Sequence, residues 1–261
     1  MNLGDHSIYC GDFFREFTKV PEHSVDMIVS DPPYGTLRRM HPWDQPIDPS
    51  FLAGILNHLL APIGTIALIC NSAMIPDLVL SFNRHFKYRY LEVWLKSSAQ
   101  AKHKDRPRPD VEYVLVFDRK GMTKADRIFN WEDVALQGDP YVRVNRNLEN
   151  ATMPTLKREV DENPSGLRYP STVVEVKHRP SMTREEKSGT DHPQQKDIHA
   201  VERLIRLLSK PGQTILDPFM GSGTTIVAAA RCGRVGIGFE RERKFFNQAK
   251  RRIERETEEG S

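Results

Sequence analysis

The sequence predicts an α/β protein in which a mostly parallel sheet is covered by helices on both faces. Strand-like apolar runs alternate with helix-like stretches over most of the chain, as crossover connections require. Two of those runs stop in turns of unusual chemistry. Val25–Ser30 enters Asp31-Pro32-Pro33-Tyr34, and Thr214–Leu216 enters the Gly-rich stretch Asp217–Thr225. A length of 261 residues suits one large domain that carries an insertion.

Taken in order, Ser7–Cys10 is a short strand that runs into Gly11-Asp12, and Val25–Ser30 is the next. Phe51–Leu60 has the apolar spacing of a helix and stops near Pro62. Thr65–Cys70 is a strand. Ile75–Phe86 is a helix with Pro76 in its first turn, where the missing N–H costs nothing. Leu91–Leu95 and Val111–Phe117 are strands joined by a basic loop rich in Pro and Lys. From about Arg119 to Asp191 apolar runs thin out, turn residues multiply, and cations and acids nearly balance. That stretch reads as an insertion with its own task. The alternation resumes with a helix at about Lys196–Ser209, the strand Thr214–Leu216, and a helix at about Thr224–Cys232. The strand Val235–Phe239 then ends at Glu240. A charge-balanced helix, about Arg243–Glu256, closes the pattern and reads as a solvated face.

Composition narrows the function classes. Apolar content of 38% and charged content of 28% are those of a globular protein. The net charge of +3 argues little for nucleic acid, but its distribution argues more. Between Arg84 and Arg108 eight Lys or Arg stand against two acids, a candidate phosphate-facing surface or a solvated basic loop. Cys10, Cys70 and Cys232 are widely spaced and form no CxxC pair, which fits a reduced protein without a disulfide framework or a zinc site. No apolar stretch approaches the roughly 18–20 residues needed to span a bilayer, and the first residues lack the features of a signal peptide. A cytoplasmic protein without a membrane partner is expected. Trp43 and Trp131 are expected to pack in the core.

The two turns carry the chemistry. Strand, Gly-rich turn, helix, strand and acid make half of a nucleotide-binding α/β fold. Gly221 and Gly223 let backbone approach a ligand where a Cβ would clash. Glu240 closes the next strand, where an acid accepts hydrogen bonds from ribose hydroxyls. The turn is not GxGxxG and no Walker lysine follows, which disfavours dinucleotides and nucleoside triphosphates. Asp217 would repel a pyrophosphate and welcome a cationic amino-acid group. In the other turn, the Asp31 carboxylate and the Pro32 carbonyl can accept both N–H bonds of an exocyclic amine. That localises a lone pair otherwise spread into the ring. Two prolines place the acceptors in advance, and Tyr34 offers a face for stacking a base. The pair points to a small-molecule cofactor and a flat, amine-bearing ring.

On these residues the chain resembles the amino-methylating DNA methyltransferases of the permuted β class. Asp31–Tyr34 is similar to that family's catalytic motif and Asp217–Thr225 to its S-adenosyl-L-methionine (AdoMet) motif. His192-Pro193-Gln194-Gln195-Lys196-Asp197 resembles its HPTQKP motif, with Gln194 and Asp197 in place of the usual Thr and Pro. Trp94-Leu95-Lys96 and Glu112–Phe117 resemble the block beside the catalytic pocket. The fold implied is a Rossmann-like seven-stranded AdoMet-dependent methyltransferase fold, circularly permuted, so that Ser7–Cys10 becomes the third strand. Residues 1–118 would be its catalytic half, 119–191 an inserted target-recognition region, and 192–261 its AdoMet-binding half.

The resemblance implies methyl transfer from AdoMet to the N6 amine of adenine in double-stranded DNA, with the target base flipped out of the stack. Asp31, Pro32, Pro33 and Tyr34 would be catalytic. Asp12, Asp31, His192, Lys196, Asp217, Pro218, Phe219, Gly221, Ser222, Gly223, Thr224 and Glu240 would hold the cofactor. Arg38, Arg39, Lys102, Lys104, Arg106 and Arg108 are the candidate DNA contacts, and the loop of Arg38, Arg39 and His41 either closes on DNA or is solvated. N4-cytosine methylation is the alternative, since family members acting on cytosine more often carry Ser at the Asp31 position. A non-catalytic DNA-binding module is another, against which the intact acids argue. C5-cytosine chemistry needs a Cys after a Pro, and none of the three cysteines follows one. Related turns in RNA and protein-glutamine methyltransferases usually follow the Gly-rich motif instead of preceding it. A homodimer and a companion restriction endonuclease also fit the class.

Overall fold

The computed structural model describes residues 2–3, 5–33, 35, 45–96, 107, 109–144, 160–177 and 190–258. The chain divides into two compact units, Met1–Phe129 with Thr172–Ser261, and Asn130–Ser171. In the larger unit a nine-stranded sheet is built from β1 (Asn2–Leu3), β2 (His6–Cys10), β3 (Val25–Ser30), β4 (Leu60–Cys70), β5 (Phe86–Lys96) and β6 (Val111–Arg119). It is completed by β11 (Val173–Val176), β12 (Thr214–Asp217) and β13 (Val235–Glu240). The spatial order is β1-β2-β13-β12-β3-β4-β6-β5-β11. The seven expected strands are present, and two short edge strands, β1 and β11, extend the sheet beyond them.

The apolar runs explain the arrangement. A strand buried on both faces needs cover above and below, so it sits centrally. β3, with Val25, Met27, Ile28 and Val29 all fully buried, lies mid-sheet between β12 and β4. The five neighbours β2, β13, β12, β3 and β4 are parallel to one another. Their C-terminal ends therefore fall along one rim: Cys10 beside Glu240, Asp217 beside Gly238, Ser30 beside Leu68. β6 runs antiparallel between β4 and β5, with Tyr113 opposite Cys70. Its first residues thus reach the rim where the parallel strands end, and Glu112 arrives there together with the end of β5.

Six helices belong to this unit among the described residues: α1 (Phe13–Glu16), α2 (Pro49–Leu59), α3 (Ile75–Phe82), α4 (Ile198–Leu208), α5 (Thr224–Arg231) and α6 (Arg243–Glu258). Asp48 caps α2 by accepting the Ser50 and Phe51 N–H groups, with Pro49 in the first turn. Leu52, Leu56 and Leu59 of α2 and Phe82 of α3 close over Ile28, Leu68 and Phe117 in one apolar cluster. α3 stops four residues before its expected end because Phe86 is already the buried first residue of β5. α6 is more than a solvated face: Phe246, Ala249, Arg252 and Ile253 are buried.

The smaller unit holds two antiparallel pairs, β7 (Leu136–Gln137) with β10 (Leu167–Arg168), and β8 (Tyr141–Val144) with β9 (Val160–Asn163). Trp131 does not enter an apolar core. It stacks on Tyr169 with ring centroids 4.2 Å apart, and Tyr169 is itself 67% exposed. This unit occupies the middle of the stretch 119–191, whose ends behave otherwise. Arg119 closes β6, and Val173–Val176 pairs with β5 in the main sheet. Trp43 lies outside the described residues.

Asp197 accounts for one departure from the HPTQKP pattern. Its Oδ1 accepts the His199 N–H at 2.9 Å and caps α4, while its Oδ2 accepts the Lys177 N–H at 2.7 Å just beyond β11. Asp197→Ala removes both bonds. Loss of such a cap costs about 1 kcal/mol, roughly 2–4 °C in Tm at this chain length. Calorimetry that finds Tm unchanged would show that α4 is started by something else.

Candidate active site

The parallel rim gathers acids. Asp12 follows β2, Asp31 follows β3, Asp217 ends β12 and Glu240 ends β13. All four border one cavity of about 420 Å³, in the range of small-molecule sites. Pro32 and Pro33 border it, as do His192, Lys196, Pro218, Phe219, Gly221, Ser222 and Thr224. Of the expected catalytic and cofactor residues that are described, only Gly223 lies outside the lining. Its φ of +77° starts α5, and a Cβ there would press on Ala249 and Ile253 of α6, so this glycine serves helix packing. Tyr34, Arg38, Arg39, His41, Lys102, Lys104, Arg106 and Arg108 lie outside the described residues.

The Gly-rich turn is held from several sides. Gly221 has φ +49°, and a Cβ on it would come within 3.0 Å of the His192 ring. His192 is buried, its Nδ1 accepts the Gln194 N–H at 3.3 Å, and its ring meets Phe245 edge to face at 4.5 Å. This histidine therefore wedges the turn as well as bordering the cavity. Glu240 accepts the Gly221 N–H through Oε2 at 3.0 Å and the Glu242 N–H through Oε1 at 2.7 Å. Asp217 Oδ1 accepts the Phe219 N–H at 3.0 Å. Sequence reasoning missed Arg252, which is 2% exposed on α6 and donates to the Ser222 carbonyl at 3.1 Å and to Thr224 Oγ1 at 2.9 Å. An arginine in a charged helix looks solvated, and only the small residue Ala249 one turn before it hints at an inward face.

Burial sets the protonation of the rim. It pushes the Asp217 carboxyl up to about 7, against hydrogen bonds from Thr225 and the Phe219 N–H and with help from the charges of Asp31 and Glu240. Burial likewise raises Glu240 to about 7, against the Glu242 and Gly221 N–H bonds. Both acids are costly to ionise in the protein alone. A ligand that brings a cation and hydroxyl donors offsets that cost.

Lys196 departs most from expectation. It borders the cavity, yet its Nζ lies 3.1 Å from Asp31 Oδ2 and 3.0 Å from Glu112 Oε1. Lys96 Nζ is 2.9 Å from the same Glu112 oxygen. Burial alone would lower the Lys196 pKa, but the Asp31 and Glu112 charges outweigh it and raise it, so the ammonium persists. Asp12 also has a structural task, capping α1 by accepting the Phe14 N–H at 2.9 Å. Phe14 stacks on Phe51 with centroids 5.5 Å apart. These two rings, with Ile47 and Phe245, add an apolar lining that no motif announced.

The DNA methylase family N6_N4_Mtase matches residues 25–251 of the chain. The chain belongs to that DNA methylase family. Its activity is accordingly AdoMet-dependent DNA methylation. Among curated relatives, the type II methyltransferase M2.DpnII of Streptococcus pneumoniae is 46% identical over 79 residues, which is 30% of each chain. The DNA adenine methyltransferase YhdJ of Escherichia coli K12 is 24% identical over 257 residues, covering 95% of this chain and 82% of that protein. Among solved structures, that of M1.HpyAVI with SAM has a TM-score of 0.60 at 22% identity, covering 95% of this chain and 99% of the other. At that identity the likeness shows the fold.

The raised acids have a measurable consequence. A carboxyl with a raised folded-state pKa binds its proton more tightly folded than unfolded. Its contribution to stability is full near pH 4 and is lost as pH climbs through about 7. Asp217→Asn keeps the shape and the acceptor for the Phe219 N–H but has no proton to lose. Without cofactor, the variant is expected to melt with the wild type near pH 4 and several degrees above it at pH 8. Equal melting temperatures at pH 8 would contradict the raised acid.

Proposed function

We propose that the protein transfers a methyl group from AdoMet to the N6 amine of adenine in double-stranded DNA. The observation that carries this is the meeting of Asp31, Pro32 and Pro33 with Asp217, Gly221 and Glu240 around one cavity. The family's own description spans N6 and N4 amines. An aspartate opening the turn, and a relative named as a DNA adenine methyltransferase, favour adenine.

The residues suit the cofactor. Asp217 and Glu240 are buried acids that gain from a cationic amino-acid group and from ribose hydroxyls. The positive φ of Gly221 leaves backbone where a side chain would intrude. Asp12, Pro218, Phe219, Ser222 and Thr224 complete the wall, and Phe14, Phe51 and Phe245 suit a flat ring. Bound AdoMet supplies an electrophilic methyl carbon on a sulfonium.

Asp31 accepts one N–H of the target amine and the Pro32 carbonyl accepts the other, which turns the nitrogen lone pair toward that carbon. Methyl transfer would place positive charge on the amine nitrogen, and Asp31 is the acceptor at hand for the proton it would shed. The paired prolines keep both acceptors in place before the base arrives, so little reorganisation accompanies the reaction. Tyr34 stacks the extruded base. Unstacking costs a few kcal/mol, offset by stacking and by phosphate contacts. We assign those contacts to Arg38, Arg39, Lys102, Lys104, Arg106 and Arg108, and base reading to the insertion within 119–191. Such an enzyme with free cysteines suits the cytoplasm.

Two tests follow. Asp31→Ala is expected to slow methyl transfer by at least about 10²–10³-fold with the fold retained. Labelled AdoMet, followed by nucleoside analysis of the DNA, also reads the base: N6-methyladenine supports the assignment and N4-methylcytosine replaces it. Near-normal turnover in Asp31→Ala would remove the Asp31 turn from the chemistry. Neutralising Lys102, Lys104, Arg106 and Arg108 together is expected to weaken binding to all duplexes alike. It should flatten the slope of log K against log salt by up to about 0.9 per contact made. An unchanged slope would move the DNA-facing surface elsewhere.

A further inference from the structure

Lys96, Glu112, Lys196 and Asp31 form a row of alternating charge that ends at the catalytic turn. Glu112 does not border the large cavity. It stands behind it, 9% exposed, at the start of the antiparallel strand β6. We propose that Glu112 and Lys196 are a positioning pair: Lys196 holds Asp31 Oδ2 and keeps that carboxylate ionised, while Glu112 cancels the charge Lys196 would present to the reacting amine. The inference rests on the reading of Asp31 as the acceptor for that amine.

The argument is one of charge balance. Asp31 shares its cavity with Asp217, whose carboxyl it already helps push upward. Carboxylates crowded in this way favour protonation of one of them, and a protonated Asp31 has lost much of its power to accept an N–H. Lys196, 3.1 Å from Asp31 Oδ2, prevents that. An unbalanced ammonium 3.1 Å from Asp31 would, however, oppose the positive charge that methyl transfer places on the amine. Glu112 removes the imbalance, and Lys96 allows Glu112 to stay ionised. Burial would raise the Glu112 carboxyl, but the Lys196 and Lys96 charges bring it below its ordinary value.

The other titratable groups around the row do not replace this pair. Cys70, from β4, has a thiol pushed up to about 12 by burial and then by the Asp31 and Glu112 charges. Asp217 faces Asp31 from β12, and His192 borders the same cavity. Lys177 and Asp197 border the small cleft beside Lys96, Glu112 and Lys196, with the Asp197 oxygens taken up by the His199 and Lys177 N–H groups.

The test is the single-turnover methylation rate of preformed enzyme–AdoMet–DNA complex from pH 5 to 9, with AdoMet affinity measured separately by calorimetry. Asp31 and Glu112 reach the same Nζ at 3.1 and 3.0 Å, so they lie within about 6 Å of one another. Lys196→Met takes the shared cation from between them, leaving Asp31 to face Glu112 while Glu112 keeps only Lys96. It is expected to move the acidic limb up by at least about one pH unit and to slow the step at pH 7 about 100-fold. Glu112→Gln is expected to slow it about tenfold, with AdoMet affinity within about twofold of wild type. The double variant is expected to be faster than Lys196→Met alone, with its acidic limb moved back toward wild type. An unmoved limb in Lys196→Met, wild-type speed in Glu112→Gln, or a double variant slower than both singles overturns the proposal. Lys196→Gln takes the place of Lys196→Met should the methionine variant not fold. Asp31→Ala runs beside them: surviving methylation there sinks the reading of Asp31 itself, whereas an inactive Asp31→Ala with an unmoved limb sinks the pair alone.

Discussion

Everything at this site follows from where parallel strands end. Five parallel neighbours deliver their C-terminal residues to one rim, and four of them place an acid there, at the last residue of the strand or within the two residues that follow. Asp12, Asp31, Asp217 and Glu240 therefore share one cavity. Such crowding is unstable unless each acid is answered, and the structure answers each differently. Asp12 is spent partly on a helix cap, Glu240 on two backbone N–H groups, Asp217 on Phe219 and Thr225, and Asp31 on an ammonium. The first three answers leave lone pairs for a ligand, since a carboxylate accepts several bonds. The fourth brings in a full charge, and only that acid is assigned a role at the reacting nitrogen.

Strand direction explains why the ammonium can be balanced. Were β6 parallel to β4, its polar first residues would lie at the far end of the sheet. Because it is antiparallel, Glu112 opposite Trp94 arrives at the rim one residue from Tyr113 opposite Cys70. The end of β5 brings Lys96 to the same place. The single reversal in the body of the sheet thus inserts a Lys–Glu pair behind the Asp31 turn without a loop or an added element.

Much of this was legible in the residues, and the reason is periodicity. Val25–Ser30 was bounded correctly because a strand buried on both faces reads as a near-continuous apolar run between turn residues, interrupted here only by Asp26 before Ser30 ends it. The motif acids converge because strand ends in parallel sheets must. What stayed hidden was whatever depends on partners distant in sequence. Lys196 reads as a solvated first-turn lysine or a ligand contact, and only the fold, which brings the residues before α4 to the start of β6, shows it between two carboxylates. Arg252 reads as one more charge in a charged helix, though its guanidinium supports the Gly-rich turn. β11 escaped because a four-residue edge strand within a loop-rich stretch carries almost no pattern.

The order of the chain and the order of the sheet are also independent, with a consequence for how the site is completed. The last two strands, β12 and β13, sit between β2 and β3, which come first. The junction is specific: the Gly236 N–H donates to His6 Nδ1 at 2.9 Å, the Thr214 N–H to Asp26 Oδ2 at 2.8 Å, and the Gly11 N–H to the Glu240 carbonyl at 3.0 Å. Each bond joins residues about two hundred positions apart, so it is formed only after a long loop has closed. Those same strands carry Asp217 and Glu240, while the early strands carry Asp12 and Asp31. The cavity lining draws on both ends of the chain, so binding at this rim reports on the closure of the whole sheet. The acids that make the site costly in the protein alone are therefore also the ones through which a cationic ligand, by lowering that cost, stabilises the union of the chain's two ends.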